Sequence, residues 1–246
     1  MKRVKNNCAL NDFGFTLVEL MIAMVMAGII IAALYAAYNV QNRSYTIQGN
    51  VVEMQQSLRA GMEFMATEIR MASYDPTNLA NAGITSATAM KFSFTADLNE
   101  DGDTVDTNEI VTFCLSATGK DKDGNDITGT NIDSDGCDND DGVADAGIIS
   151  ASLSRGGQEI ANNIKAVEFF YLFSDPTIAP TSNPTATQID EIQTVQISIL
   201  AISPQRDAKY TENKTYVTKA GTSWTYPGNY RHRLLTSSVN IRNQGL

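Results

Sequence analysis

The pattern of apolar and polar residues begins with a long apolar stretch. Residues 15–38 are almost uniformly apolar, and after Glu19 they carry no further charge. At about 1.5 Å per residue, a helix of this length crosses the roughly 30 Å hydrocarbon core of a membrane. We therefore predict that residues 15–38 form the membrane-spanning half of an N-terminal helix.

The pattern then changes from all-round apolar to one-sided. Apolar residues now recur every three or four positions, which places them on one helical face; they are Val51, Met54, Leu58, Met62, Met65, Ile69 and Ala72. No proline occurs before Pro76, and the position before a proline disfavours helical geometry. We predict that residues 39–75 form the amphipathic half of the same helix. Three glycines weaken the helix as a whole, each by about 1 kcal/mol relative to alanine: Gly28, Gly49 and Gly61.

Residues 76–89, rich in Asn, Ala, Thr and Ser, are predicted to form a connecting loop. Several later runs alternate in the way that strands do, so the chain is predicted to have an α+β fold. Short runs of strand character are expected at 90–96, 109–115, 148–154, 158–161, 163–173, 192–203 and 234–241. Two acidic insertions, 97–109 and 119–147, separate some of these runs. We expect a β-rich domain of antiparallel strands against which the long helix packs.

Charge is distributed unevenly over this domain. The formal net charge of the chain is −10, and the span 97–145 holds thirteen Asp and two Glu against only Lys120 and Lys122. A nucleic-acid-binding surface needs a basic stripe, so we expect no nucleic-acid partner. The alternative to any function for these residues is a set of solvated acidic loops.

The basic residues of the N-terminus predict the membrane topology, and the topology in turn predicts the oxidation state of the cysteines. Lys2, Arg3 and Lys5 precede the apolar stretch, and basic residues stay on the cytoplasmic side, so the C-terminal domain is predicted to be exported. Of the three cysteines, Cys8 lies before the apolar stretch, which leaves Cys114 and Cys137 in that domain. Two thiols in an oxidising compartment indicate one disulfide, with two free thiols as the alternative.

Glu19 is unusual because a carboxylate in hydrocarbon is costly and normally has a partner or a function. From the physics alone, it is equally well explained as an acid at the N-terminus of a helix, placed among lipid headgroups. The run Gly14-Phe15-Thr16-Leu17-Val18-Glu19, after a short polar leader, resembles the class III signal of type IV prepilins and pseudopilins. That resemblance implies cleavage between Gly14 and Phe15 by a prepilin peptidase and N-methylation of Phe15. It also implies that Glu19 meets the terminal amine of a neighbouring subunit.

Two later stretches carry a second resemblance. Residues 62–76, MEFMATEIRMASYDP, and the C-terminal run 230–243, beginning YRHR, are similar to PilW-like minor pilins and J-type minor pseudopilins. The resemblance implies a leader at 1–14 and a pilin-type domain at 76–246. It also implies a minor structural subunit that initiates or caps a type IV pilus, with a type II secretion pseudopilin or a tip-displayed adhesin as alternatives. Its partners would be other minor and major pilin-type subunits and the inner-membrane assembly platform.

The same resemblance implies where the protein resides. It would be a single-pass protein of the bacterial inner membrane with a cytoplasmic N-terminus and a periplasmic domain, which later reaches the tip of a pilus or pseudopilus. His232, the one histidine, is expected at the surface, and no motif typical of a catalytic site is present. We expect a protein that is not an enzyme.

The acidic insertions contain two half-motifs typical of calcium loops. The first places Asp97, Asn99, Asp101 and Asp103 at alternate positions around Gly102, in the pattern D-x-[DN]-x-[DN]-G. Its closing acid, Glu109, stands one position later than the pattern requires, so a solvated hairpin tip is the alternative. The second and weaker half-motif consists of Asn131, Asp133 and Asp135. Calcium is the cofactor that the sequence suggests.

Overall fold

The computed structural model describes residues 14–123, 125–129, 132, 136–138 and 141–243. The chain divides into two compact units, Met1–Gln48 and Gly49–Leu246. The elements in chain order are α1 Leu17–Ile69, β1 Ile84–Ala87, β2 Lys91–Thr95, β3 Ile110–Lys120, β4 Asp126–Thr128, β5 Ser150–Arg155, β6 Gln158–Phe173, α2 Ala186–Ile189, β7 Ile192–Ile202, β8 Thr215–Val217, β9 Ser223–Thr225 and β10 His232–Asn240.

The strands of the second unit form an antiparallel sheet, as the sequence predicted. In the described part of the chain, the order β1-β2-β3-β5-β6-β7-β10 runs across it, with β4 paired to β3. Strands β8 and β9 form a separate two-stranded sheet. The fold class is therefore α+β, with helix α1 supplying the helical part and the antiparallel sheet the rest.

The later half of α1 buries one face against the sheet. Its buried side chains are Met54, Leu58, Met62, Met65, Ala66 and Ile69, which confirms the apolar stripe read from the sequence. They share one core cluster with sheet residues such as Leu153 and Phe169. A hydrogen bond also joins the helix to the sheet: the Ser57 hydroxyl donates to the Asn162 carbonyl of β6 at 2.8 Å.

Helix α1 ends at Ile69 and not at Asp75 as predicted. Residues 70–73 form a turn, in which the Met71 N–H donates to the Glu68 carbonyl at 2.9 Å, three residues back. Ser73 has φ 63°, a left-handed conformation that stops a helix. Its N–H donates to Thr95 of β2 at 3.1 Å, so pairing with the sheet ends the helix before the proline is reached.

The predicted strands 158–161 and 163–173 are one strand, β6. Asn163 within it has φ 62°, and the register with β5 shifts near this residue. The interrupted alternation of the sequence here therefore reflects an irregularity within one continuous strand. Strand β1 lies where a loop was predicted, at 76–89. It is only four residues long, too short for the alternation to show.

Candidate functional site

The prepilin-type signal lies at the start of α1. Residues 14–16 are not helical, and the Glu19 N–H donates to the Thr16 hydroxyl oxygen at 3.2 Å. Thr16 is therefore the N-cap of the helix, which places Glu19 in its first turn, where the helix dipole favours a carboxylate. This role of Thr16 was not predicted, although the spacing T-x-x-E is typical of a capping box.

The first unit contains the apolar part of α1, whose described side chains are exposed. Every residue from 14 to 42 is exposed, including Phe15 at 82% and Leu17 at 76%. Within the described residues, α1 is the one helix long and apolar enough to span a membrane, by length and composition. An apolar surface of this extent must be covered by lipid or by other protein.

The first acidic insertion, residues 97–109, connects β2 to β3 and is called here the acidic loop. Asp97 at its start is fully buried, at 0% exposure. Its Oδ2 accepts hydrogen bonds from the Gly102 N–H at 3.1 Å and from the Thr77 hydroxyl at 3.4 Å. Its own N–H donates to the Tyr74 carbonyl at 2.8 Å. The loop is thus attached to the turn that follows α1.

Glu109 at the end of the acidic loop is also buried, at 1% exposure. Its Oε1 accepts hydrogen bonds from the Leu98 N–H at 3.0 Å and the Asn99 N–H at 3.4 Å. The closing acid, displaced by one position in the sequence, is therefore folded back onto the loop's first residues. Asp97 and Glu109 thus both accept hydrogen bonds from backbone N–H groups of residues 98–102.

The other residues of the half-motif, Asn99, Asp101 and Asp103, are exposed and are joined by hydrogen bonds. The Asp101 N–H donates to Asn99 Oδ1 at 3.0 Å, and the Asp103 N–H donates to Asp101 Oδ1 at 3.1 Å. Gly102 has φ 88°, a conformation that a residue with a side chain rarely adopts. The glycine permits the sharp turn on which the spacing of the motif depends.

The second half-motif, Asn131, Asp133 and Asp135, lies outside the described residues. Within the described ranges, no group of three or more His, Cys, Asp or Glu side chains is arranged to hold a metal ion. A calcium site in this loop would therefore need oxygen ligands besides the carboxylates of Asp97 and Glu109.

The two domain cysteines are joined, which confirms the predicted disulfide. Cys114 and Cys137 have a Cα–Cα distance of 5.7 Å and are 23 residues apart. Both are fully buried. The bond attaches the second acidic insertion to β3 and so limits how far this long segment can move from the sheet.

His232 is buried and not at the surface, contrary to the prediction. Its side chain is 3% exposed, and its Nδ1 lies 4.0 Å from Glu212 Oε2; the imidazole stacks on Tyr226 with the ring centres 5.8 Å apart. Burial lowers the pKa of His232 from 6.5 to about 4; the Glu212 carboxylate opposes this shift and Lys165 adds to it. The flanking residues Arg231 and Arg233 suggested exposure, but neighbouring side chains of extended backbone point to opposite faces, so the arginines say nothing about the side chain between them.

Two known protein families match this chain, one near its N-terminus and one in its C-terminal part. Residues 10–35 match the prokaryotic N-terminal methylation motif, and residues 148–243 match the type IV pilus-assembly protein W family. The chain is a type IV pilin-like protein. No curated protein and no solved structure matches it.

The matched ranges correspond to definite parts of this pilin-like protein. The first covers the Gly14–Glu19 signal and the exposed apolar segment of α1 as far as residue 35, and the second covers strands β5 to β10. The protein is thus a minor pilin related to the type IV pilus. The signal followed by an apolar helix indicates membrane anchoring, and a protein of this type interacts with other components of the pilus.

Proposed function

We propose that the protein is a structural subunit that initiates or caps the assembly of a type IV pilus and has no enzymatic role. The observation that carries the proposal is the exposed apolar segment 14–42 of α1, in which Glu19 is the one charged residue. Lipid covers such a surface before assembly, and helices of neighbouring subunits cover it afterwards. The match to a pilus-assembly family favours a pilus over a secretion pseudopilus.

Processing is the first step of this function. A prepilin peptidase cleaves between Gly14 and Phe15, and Phe15 is then N-methylated. The match of residues 10–35 to the methylation motif supports this step, as does the non-helical backbone of residues 14–16. Mass spectrometry of the membrane-derived protein should find N-methylated Phe15 as the first residue. An intact Met1 in cells with an active prepilin peptidase would contradict the proposal.

Glu19 sets the axial position of the subunit. A carboxylate buried between helices is tolerable when an ammonium group lies against it, and removal of one partner leaves a costly unpaired charge. Only one stagger of two helices brings Glu19 to the terminal amine of an adjacent subunit, and other staggers are thereby disfavoured.

The role of Glu19 is tested by Glu19→Ala, with Glu53→Ala as its matched control. Glu53 is an exposed glutamate on the same helix, in the unit that holds the sheet. The Glu19 variant should insert into the membrane and be cleaved, but it should recover fewer pilin-type partners after crosslinking and give fewer filaments. Normal filament numbers with Glu19→Ala, or an equal defect with Glu53→Ala, would refute the axial role.

The acidic composition of residues 97–145 supports a position at the end of the filament. Repeating a domain whose span 97–145 has thirteen Asp and two Glu along a shaft would bring like charges together. Deletion of the gene should therefore reduce the number of filaments while the amount of major subunit stays unchanged. Immunogold labelling spread evenly along the shaft would contradict this placement, and a defect limited to secretion would point to a pseudopilus.

The membrane topology follows from the same proposal. The leader stays in the cytoplasm, the exported domain folds in the periplasm, and the assembly platform of the inner membrane moves the subunit into the filament. The disulfide between Cys114 and Cys137 supports an oxidising compartment. Protease added to spheroplasts should digest the domain; complete protection would contradict this orientation.

A further inference from the structure

Two carboxylate oxygens in the acidic loop are buried without a hydrogen-bond partner. They are Asp97 Oδ1 and Glu109 Oε2, on side chains that are 0% and 1% exposed. Neither carboxylate has a Lys, Arg or His partner within 4.0 Å among the described residues. A buried charge without a counter-charge is costly, so such a group normally pairs or binds a metal.

The two orphaned oxygens belong to the same small region of the loop. The second oxygen of Asp97 accepts the Gly102 N–H, and the second oxygen of Glu109 accepts the Leu98 and Asn99 N–H groups. Each carboxylate is therefore held in place by the loop backbone on one side and left unsatisfied on the other. This is the state of a carboxylate that is oriented for a ligand.

We propose that the acidic loop binds one calcium ion, with Asp97 and Glu109 as its two buried carboxylate ligands. Calcium takes six to eight oxygens in flexible geometry and accepts amide and backbone carbonyl oxygens and water as well as carboxylates. Two buried carboxylates are thus sufficient as anchors, although no three acidic side chains are grouped. Asn99 and Asp101, at alternate positions beside them, supply further oxygens.

The ion explains why the loop has the composition it has. It neutralises the two buried charges and draws together the exposed carboxylates, whose mutual repulsion otherwise opposes the compact turn. It also fixes the place where the loop meets the turn after α1, through the bonds from Asp97 to Tyr74 and Thr77. Calcium binding therefore stabilises the joint between the helix and the sheet.

The test measures thermal unfolding of the full chain in detergent micelles, with calcium and with a chelator. The fluorescence of Trp224, which is 6% exposed, reports the unfolding of the sheet unit. Calcium at ten times its dissociation constant should raise Tm by about 3–6 °C. No rise in Tm together with no heat of calcium binding in calorimetry would overturn the proposal, and an equal rise with magnesium would overturn the assignment to calcium.

Variants locate the ion. Asp97→Asn and Asp101→Ala should each reduce the difference in Tm between calcium and chelator and weaken calcium binding by about tenfold or more. Because each variant is compared with itself, any cost to folding cancels, and Asp101 is exposed, so its substitution leaves the core intact. Glu159→Gln, which removes an exposed acid on β6, should keep the full calcium effect. Unchanged calcium binding in both loop variants, or an equal loss in Glu159→Gln, would place the ion elsewhere.

Discussion

Gly61 offers a test in which helix propensity and packing predict opposite signs. A glycine inside an exposed helix costs about 1 kcal/mol relative to alanine, so propensity alone predicts that Gly61→Ala stabilises the protein. In the structure, a Cβ at this position would lie 2.7 Å from the Cβ of Ala161 and 3.2 Å from Cδ2 of Leu153. Carbon atoms prefer about 3.5–4.0 Å, and both neighbours are buried parts of the sheet. The absence of a side chain at Gly61 thus allows α1 to pack closely against the sheet at this position.

Overpacking a core by one methyl group costs about 1–3 kcal/mol, which exceeds the gain in propensity. Gly61→Ala should therefore lower the free energy of unfolding by about 1 kcal/mol, which corresponds to a fall in Tm of about 2–4 °C for a domain of this size. Gly49→Ala is the matched control, since a Cβ at Gly49 meets nothing within 4 Å. That change should raise Tm by a similar amount.

The assay is thermal unfolding of the full chain in detergent, followed by Trp224 fluorescence. Adding Ala161→Gly to Gly61→Ala removes the opposing Cβ, so the double variant should recover stability beyond the sum of the single effects. If Gly61→Ala stabilises the chain as much as Gly49→Ala does, the close approach of helix and sheet is refuted.

The remaining predictions concern three contacts of the sheet unit. His232, with a pKa of about 4 in the folded chain against 6.5, binds fewer protons when folded, so the unfolding free energy should fall by about 3 kcal/mol as the pH drops from above 6.5 to about 4. His232→Phe keeps the stacked ring and should remove most of this dependence. Replacing Cys114 and Cys137 together by alanine should cost about 3 kcal/mol, because the disulfide no longer restricts the unfolded chain. Glu68→Gln should cost about 1 kcal/mol, since Arg155 Nε lies 2.7 Å from Glu68 Oε2 in a half-buried pair.

Each of these predictions has its own contradicting result. An equally steep pH dependence in His232→Phe would assign the effect to other groups. A Tm of the double alanine variant equal to that of the wild type would show that the disulfide contributes nothing to stability. For the ion pair the control is Glu63→Gln, an exposed glutamate of the same helix, and equal losses in the two variants would show that the pair itself is not responsible.

The sequence predicts those parts of the fold that depend on regular spacing. The stripe from Met54 to Ile69 repeats every three or four residues, and each of its members is buried as expected. Strand β7, Ile192–Ile202, is rich in β-branched residues, which favour strands, and it was located almost to the residue. Short elements such as β1 contain too few residues for any period to be evident.

Other features depend on contacts between distant residues, which one sequence does not reveal. From the sequence, Gly61 was interpreted as a weak point in the helix. In the structure, the lack of a side chain at Gly61 leaves room for Ala161, which is a hundred residues later. The His232 ring packs against Tyr216 of β8 and Tyr226, and its Nδ1 lies 4.0 Å from Glu212, residues that are 6 to 20 positions away in sequence. In the acidic loop the motif indicated calcium, yet the burial of Asp97 and the return of Glu109 to the loop's first residues required the folded chain.

Strand β10 is the last described strand, and it completes the sheet from the far end of the chain. It pairs with β7 along its whole length of nine residues, and just after it the Arg242 N–H donates to the Arg70 carbonyl at 3.3 Å. Until β10 arrives, β7 is an open edge with free backbone groups, a template for pairing with another chain. A chain still emerging from the ribosome or from a translocation channel therefore remains prone to aggregation until residue 240 is available.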